Sequence, residues 1–277
     1  MDLDMFKHKS TQLSISKLIS YGNLLIPPVF GELASGLVGE GRMAEPQDII
    51  GFIERNLSVK LPLHGKTFLI TAGPTFESID PVRFIGNHSS GKMGFEMAKT
   101  AASLGAKVYL ITGPSNQIVS NNLIKRIDVV SAEEMYNEVH KLYSSVNIAI
   151  LSAAVADYKP KNVSSQKIKK VSDSMSIELV KTHDILASLG KIKKQQFLVG
   201  FALETNDGVG YAKDKLVKKN ADAIVLNTLS STTGFESNTN AVEVFYQDGE
   251  QQSFPLLDKS KLGQQLLSAV LNKFQWV

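Results

Sequence analysis

Apolar positions recur with two different periods along this chain, and the change of period divides it. In residues 11–22 (TQLSISKLISYG), Leu13, Ile15, Leu18 and Ile19 fall on one side of a helix that Thr11 can cap and Gly22 can end. A second helix is predicted from Pro46, a residue suited to the first helical position, through Ile49, Ile50 and Ile53 to Asn56. Between them residues 31–46 (GELASGLVGEGRMAEP) are rich in glycine and predict a loop. Two small helices and a loop bury little area, so residues 1–58 are expected not to fold alone. Residues 59–65 (VKLPLHG) lose periodicity, carry a proline and mark a linker.

Beyond the linker, strands alternate with helices. Residues 67–71 (TFLIT), 107–112 (KVYLIT), 127–130 and 147–152 have the apolar character of buried strands. A helix over 91–104 turns Met93, Met97, Ala98 and Ala101 inward and stops at Gly105; Ser131 with Glu134 makes a capping box that opens another, running to Tyr143. Further strands are predicted at 176–180, 197–201 and 223–226, with helices after Thr182 and after Asp207. Asp248-Gly249 between 242–246 and 252–254 predicts a closing hairpin. The alternation specifies an α/β fold: a doubly wound, mostly parallel Rossmann-like sheet with a C-terminal hairpin over residues 66–277, preceded by a short helical N-terminal segment.

Composition narrows the possible chemistry. Apolar residues make up 43% and charged residues 21% of the 277, and the longest apolar run, 148–156, is interrupted by Ser152. It is half the roughly 18 residues needed to cross a bilayer, so a soluble chain with no membrane partner is expected. Thirty basic and 27 acidic side chains leave a net charge of +3, which gives no bulk electrostatic reason for a nucleic-acid partner. There is no cysteine, which removes disulfides, Cys-ligated zinc, iron–sulfur clusters and thiolate nucleophiles. The five histidines lack HxxxH or HExxH spacing, against a zinc site built on one helix. The N-terminal MDLDMFKHKS lacks the apolar core of a signal peptide, and a cytoplasmic location is expected.

In open parallel sheets ligands bind beyond the C-terminal strand ends, so the segments that follow strands are the candidates. Residues 71–92 form a long polar loop whose end, Gly86-Asn-His-Ser-Ser-Gly91-Lys92-Met93, matches G-x-x-x-x-G-K. Met93 stands where Ser or Thr would hold magnesium, and a thioether is a poor ligand for a hard cation. The loop also lies well away from its strand, which argues against a standard P-loop NTPase. A glycine-rich turn at a helix N-terminus still predicts an anion site at Ser89, Ser90 and Gly91, with a helix-capping Ser/Gly loop as the alternative. After the fourth strand, Ala153-Ala-Val-Ala-Asp157-Tyr158 lets a ligand approach the backbone, and Asp157 suits either a ribose hydroxyl or metal ion, or the cap of the next turn.

Lys167-Ile-Lys169-Lys170 is either a solvated face or a triphosphate clamp, and Lys213, Lys215, Lys218 and Lys219 carry the same ambiguity. No Ser/His/Asp or paired-carboxylate arrangement assembles, and no G-x-G-x-x-G follows the first strand, which disfavours a nicotinamide oxidoreductase. Glycine loops, lysines, Arg83, Asn87 and a few aspartates suit phosphoryl or nucleotidyl transfer, and these residues together indicate a nucleotide-using enzyme.

In this order, TAGPTFESIDPVRFIGNHSSGKMG, AAVADYKPKN, KIKK and VGFALETN closely resemble the phosphopantothenate-cysteine ligases, the second activity of the bacterial bifunctional coenzyme A biosynthesis proteins. Residues 1–56 resemble the tail of the partner activity, a flavin-dependent phosphopantothenoylcysteine decarboxylase. Met1-Asp-Leu-Asp-Met5 is similar to the end of its Pro-x-Met-Asn-x-x-Met motif, and residues 39–46 to its substrate-clamp loop. The resemblance implies that the carboxylate of 4'-phosphopantothenate attacks the α-phosphate of CTP with Mg2+ present. Pyrophosphate leaves, and the amine of L-cysteine then displaces CMP from the acyl-cytidylate. It also implies a homodimer whose acyl-substrate pocket is completed by the neighbouring subunit.

Carried over by motif, Asn87 would hold the acyl-cytidylate, with Arg83 ordering the same loop or binding the substrate phosphate. Lys167 would contact the nucleotide phosphates, with Lys169 and Lys170 on a flap. Ala153 and Asp157 would line the nucleotide, Asp157 at the ribose or metal, and Thr182, His183, Asp184, Ile185, Phe201, Lys215 and Lys219 would surround the cytosine. Two positions depart from the family pattern. Phe76 stands where Arg is frequent, which reads as peripheral variation. Ser35 stands where many decarboxylases carry a catalytic cysteine, so neither decarboxylation nor bound FMN is expected of this chain, which would begin inside the first domain. Ligation with ATP, and a non-catalytic Rossmann-type nucleotide-binding protein, are the alternatives.

Overall fold

In the computed structural model, which describes residues 1–170, 173–204, 208–228 and 239–273, contacts divide the chain into two units, Met1–Leu61 and Pro62–Val277. The first unit contains α1 (Leu3–Lys7), α2 (Lys9–Ser20), β1 (Val29–Glu32), β2 (Val38–Arg42) and α3 (Pro46–Ser58). His8 rather than Thr11 caps α2, its Nδ1 accepting from the Ser10 N–H at 3.3 Å. The glycine-rich stretch is not all loop, because β1 and β2 form an antiparallel pair. Two of its glycines answer to close packing. A Cβ on Gly39 would lie 2.6 Å from Leu3 Cδ1, and one on Gly41 2.6 Å from the Met1 carbonyl. Leu33 and Ala44 are the buried apolar side chains of this unit among the described residues, while Ile50 and Ile53 of the α3 stripe are exposed.

The second unit runs β3 (Thr67–Ala72), β4 (Phe76–Ser78), β5 (Phe84–Gly86), α4 (Lys92–Ser103), β6 (Lys107–Thr112), β7 (Ile124–Asp128), α5 (Ala132–Tyr143) and β8 (Ile148–Leu151). It continues β9 (Tyr158–Pro160), β10 (Leu179–Lys181), α6 (Ile185–Ile192), β11 (Phe197–Glu204), α7 (Gly208–Lys218), β12 (Ala223–Thr228), β13 (Thr239–Tyr246), β14 (Gln251–Asp258) and α8 (Lys259–Lys273). Eight strands form one sheet in the order β14-β13-β12-β11-β8-β3-β6-β7. The six from β12 to β7 are parallel, and β13 and β14 add an antiparallel edge. Two-residue alternation puts Phe68 and Ile70 against α4 and α8, with Phe95, Met97, Leu262 and Leu266, and puts Leu69 against the α5–α7 side, with Met135, Val139, Leu189 and Leu216.

Three expectations shift. The third strand lies at Ile124–Asp128, not 127–130; it is an edge strand, Val130 is half exposed, and its register is set by Val108↔Ile124 and Thr112↔Asp128. The strand expected at 176–180 is the short β10, which pairs with β9 in a ribbon outside the main sheet. At α5, Ser131 Oγ accepts from the Glu134 N–H, but Glu134 Oε2 returns to the N–H of Val130, one residue before the cap.

From β3 the chain moves outward to β6 and β7, then returns to β8 on the other side of β3. This reversal opens a crevice at the C-terminal ends of β3 and β8, where Pro74 bridges to Ala154.

Candidate functional site

Beyond the sheet the two strand ends remain laced together. Ser152 Oγ donates to the Thr71 carbonyl at 2.6 Å, and Thr71 Oγ1 accepts from the Ala153 N–H at 3.2 Å. Ala154 N–H donates to the Gly73 carbonyl, Thr75 N–H to the Ala154 carbonyl, and Ala156 N–H to Thr75 Oγ1 at 2.9 Å. Residues 153–157 thus form a fixed crest of small side chains. A cavity of about 470 Å³ and another of about 390 Å³ share Ala153, Val155, Asp157 and Phe201 as lining.

The first cavity gathers most of the residues expected around a nucleotide: Ala153, Asp157, Thr182, His183, Asp184, Ile185, Phe201 and Lys215. The β9–β10 ribbon brings them together, because Thr182 N–H donates to the Asp157 carbonyl and Thr182 Oγ1 to that of Ala156. Asp184 caps α6 by accepting from the Ala187 N–H at 2.8 Å, and also accepts from Lys219 Nζ. Burial alone would raise the Asp184 pKa, but Lys219 and the capping N–H outweigh it and hold the carboxyl below its ordinary value. Lys219 does not line the cavity; it acts on Asp184. Lys215 Nζ donates to the Phe201 carbonyl at 2.7 Å, and burial pushes its pKa down, opposed in part by Asp184 and Glu204. His183 Nδ1 lies 3.2 Å from Glu133 Oε2, and its ring lies 4.8 Å from that of Tyr136.

The second cavity contains Asn87, Ser89, Ser90 and Gly91 at the start of α4. Gly91, at φ +77°, caps α4 with backbone alone, and a Cβ there would sit 3.0 Å from the Gly73 nitrogen. Gly94 brings the first turn of α4 against the strands, since a Cβ would lie 2.6 Å from Ser152 Oγ and 2.7 Å from Ala72 Cβ. Asn87 Nδ2 donates to the Val155 carbonyl at 2.9 Å and reaches that of Ala154 at 3.4 Å; its Oδ1 accepts no hydrogen bond among the described residues.

Three residues of this cavity escape a reading of the sequence: Asn227, Asn240 and Lys259. Lys259 and Asn240 are buried, and Asn227 Oδ1 is buried with no hydrogen-bond partner among the described residues. Burial, and then Lys92, push the Lys259 ammonium below its ordinary pKa. The signal was present in the predicted hairpin: β13 starts and β14 ends at the rim where the parallel strands end.

Two expected residues besides Lys219 stand apart from both cavities. The Arg83 guanidinium donates to Asp80 and to the Ile168 carbonyl. Lys167 is exposed and lines neither cavity, as are Lys169 and Lys170. Thr205 and Asn206 of the VGFALETN motif lie outside the described residues. Phe76 is not peripheral: its ring stacks on Phe84 at 4.0 Å, and both line a third cavity of about 420 Å³ that includes Asn87. Among the described residues no group of three or more His, Asp or Glu gathers to hold a metal. Asp157 therefore fits a magnesium ion only as one carboxylate beside the oxygens of a bound triphosphate, an arrangement that Mg2+ favours.

A family model described as the DNA/pantothenate metabolism flavoprotein C-terminal domain matches residues 63–274. The coenzyme A biosynthesis bifunctional protein CoaBC of Bacillus subtilis (strain 168) is 42% identical over 273 residues, covering 98% of this chain and 67% of that protein. A cysteine/cysteine sulfinic acid decarboxylase from an unknown prokaryotic organism is 46% identical over 277 residues, 98% of this chain and 77% of that one. The crystal structure of the C-terminal domain of a CoaBC protein superposes with a TM-score of 0.66 at 41% identity, covering 77% of this chain and 98% of that domain. No helix among the described residues is long and apolar enough to cross a membrane. The match to the Bacillus protein is too long to leave out the N-terminal unit, and the chain belongs to the CoaBC family of coenzyme A biosynthesis proteins, with residues 63–274 as its DNA/pantothenate metabolism flavoprotein C-terminal domain.

Proposed function

We propose that this protein joins 4'-phosphopantothenate to L-cysteine through an acyl-cytidylate made from CTP. The observation that carries the reading is the position of Asn87, tethered to Val155 on the crest that separates the two cavities. In this reading the nucleoside occupies the first cavity and its phosphates cross the crest toward the N-terminus of α4. Asp157 would hold magnesium together with those phosphates, and the ion would neutralise triphosphate charge. A carboxylate oxygen of 4'-phosphopantothenate forms a bond to the α-phosphorus, and pyrophosphate leaves. The cysteine amine then adds to the carbonyl carbon of the mixed anhydride and CMP departs, the amine losing its proton. Asn87 contacts the acyl group, and Lys167 meets the phosphates from outside the cavities.

CTP rather than ATP is favoured by the match of both units to bacterial bifunctional relatives. A homodimer in the cytoplasm, the neighbouring subunit completing the acyl pocket, belongs to the same reading. We assign it no decarboxylation and no FMN, although one relative bears a decarboxylase name. Where a thiol is needed, Ser35 offers a hydroxyl that donates to Asp2 Oδ1 at 3.1 Å.

The test is pyrophosphate release from CTP with 4'-phosphopantothenate and magnesium, without and then with cysteine, with ATP in parallel. Release that requires 4'-phosphopantothenate, with amide only when cysteine is added, is the expected result. Tight nucleotide binding without release would favour the non-catalytic alternative.

A further inference from the structure

The tip of the β4–β5 hairpin grips a segment more than eighty residues away in sequence. Asp80 is a buried carboxylate. Its Oδ1 accepts from the N–H groups of Val82 and Arg83 at 2.8 and 2.9 Å. Its Oδ2 accepts from Arg83 Nε at 2.9 Å, from Arg83 Nη2 at 2.5 Å and from the Ile168 N–H at 3.1 Å. Arg83 Nη2 then donates to the Ile168 carbonyl at 2.7 Å, and Ser164 N–H donates to the Ile79 carbonyl at 3.0 Å. One ion pair therefore holds both backbone groups of Ile168, the residue between Lys167 and Lys169, while the two lysines stay exposed. The other end of the hairpin is Gly86, which leads into Asn87 and its tether to Val155.

We propose that Asp80 and Arg83 are positioning residues, a clamp through which one hairpin sets Lys167 at a fixed place relative to Asn87. The lysine that meets the phosphates and the amide that meets the acyl group then form one rigid assembly. What is positioned rests on the ligase reading; the clamp itself does not. A planar guanidinium can bridge a carboxylate and a carbonyl at once, which an ammonium on a flexible stem cannot do in the same geometry. Burial alone would raise the Asp80 pKa. The Arg83 guanidinium and the N–H groups of Val82, Ile168 and Arg83 more than offset this, and hold the carboxyl far below the usual carboxylate range.

The lysines of this segment are trypsin sites, so the clamp can be read without activity. In native protein, Asp80→Asn and Arg83→Lys are each expected to speed cleavage after Lys167, Lys169 and Lys170 by about tenfold, with thermal midpoint and cleavage elsewhere little changed. Cleavage at the unaltered rate would overturn the proposal. If Asp80→Asn does not fold, Arg83→Lys, which keeps charge and bulk, decides. In pyrophosphate release, Asp80→Asn is expected to raise the KM for CTP, and the Asp80→Asn/Lys167→Gln double variant to be no worse than Lys167→Gln alone. Fully additive losses would contradict a role exerted through Lys167. An inactive parent protein would sink the ligase reading and leave the trypsin comparison intact.

Discussion

Lys215 of α7 donates to the carbonyl of Phe201 on β11 across 2.7 Å, which stations a partly buried cation on the wall of the first cavity. Replacing it with Met keeps the bulk and removes the charge. Nucleotide affinity measured by calorimetry is expected to fall about tenfold or more, as for loss of a charge-assisted contact. Because burial lowers the Lys215 pKa, the ammonium deprotonates at lower pH than an ordinary lysine. Affinity should therefore decline as pH rises through that lowered value, and Lys215→Met should lack this alkaline decline.

Asn87→Asp replaces a donor to the Val155 carbonyl with a carboxylate facing carbonyl oxygens. Pyrophosphate release is expected to persist while amide formation falls by roughly 10²–10³, the usual cost of losing one oriented donor at a reacting carbonyl. Quenched time courses with cysteine supply both readouts. Equal loss in the two half-reactions would remove Asn87 from the second step.

Gly94→Ala places a methyl 2.6 Å from Ser152 Oγ and 2.7 Å from Ala72 Cβ. The helix and the strand end must part, at a cost of about 1–3 kcal/mol typical of overpacking, read as a lower thermal or urea midpoint. Nucleotide binding should weaken as well, because both cavities are bounded by the crest that Ser152 leads into.

Asp184 gives an acid-stability prediction. Its folded pKa is below the unfolded value, so its contribution is present above the unfolded pKa of about 3.9 and is lost as pH falls through the folded one. Asn is also a good N-cap, so Asp184→Asn removes the titration while retaining the cap. Thermal midpoints of parent and variant should converge as pH falls from 5 toward 3. A constant gap would show that the carboxylate charge is not what matters there.

The parallel sheet was legible because TFLIT, KVYLIT and residues 147–152 each carry a central run of consecutive apolar residues between helical stretches, the mark of strands covered on both faces. What escaped has a common physical cause. Short strands outside the main sheet are stabilised by a few cross-strand contacts: Phe76 on Phe84, Lys181 opposite Tyr158, and Arg42 opposite Val29. Sequence periodicity over three to five residues cannot separate these from loops. The crest and most of the first cavity followed from motif and strand ends. Lys259, Asn227 and Asn240 did not, because a lysine opening a C-terminal helix has no local mark of burial. The ion pair of Asp80 and Arg83 with Ile168 was equally hidden, since it joins residues that only the fold makes neighbours.

The antiparallel edge carries a consequence for how the molecule tolerates change. β13 departs from the rim where the parallel strands end, turns at Asp248 and Gly249 on the opposite side, and β14 returns to deliver Lys259 beside the second cavity. The domain thus has a working rim and an idle one. Peptide inserted at the idle rim should leave the chemistry untouched, whereas trimming the C-terminus back through α8 takes away a wall of the site along with a piece of the core.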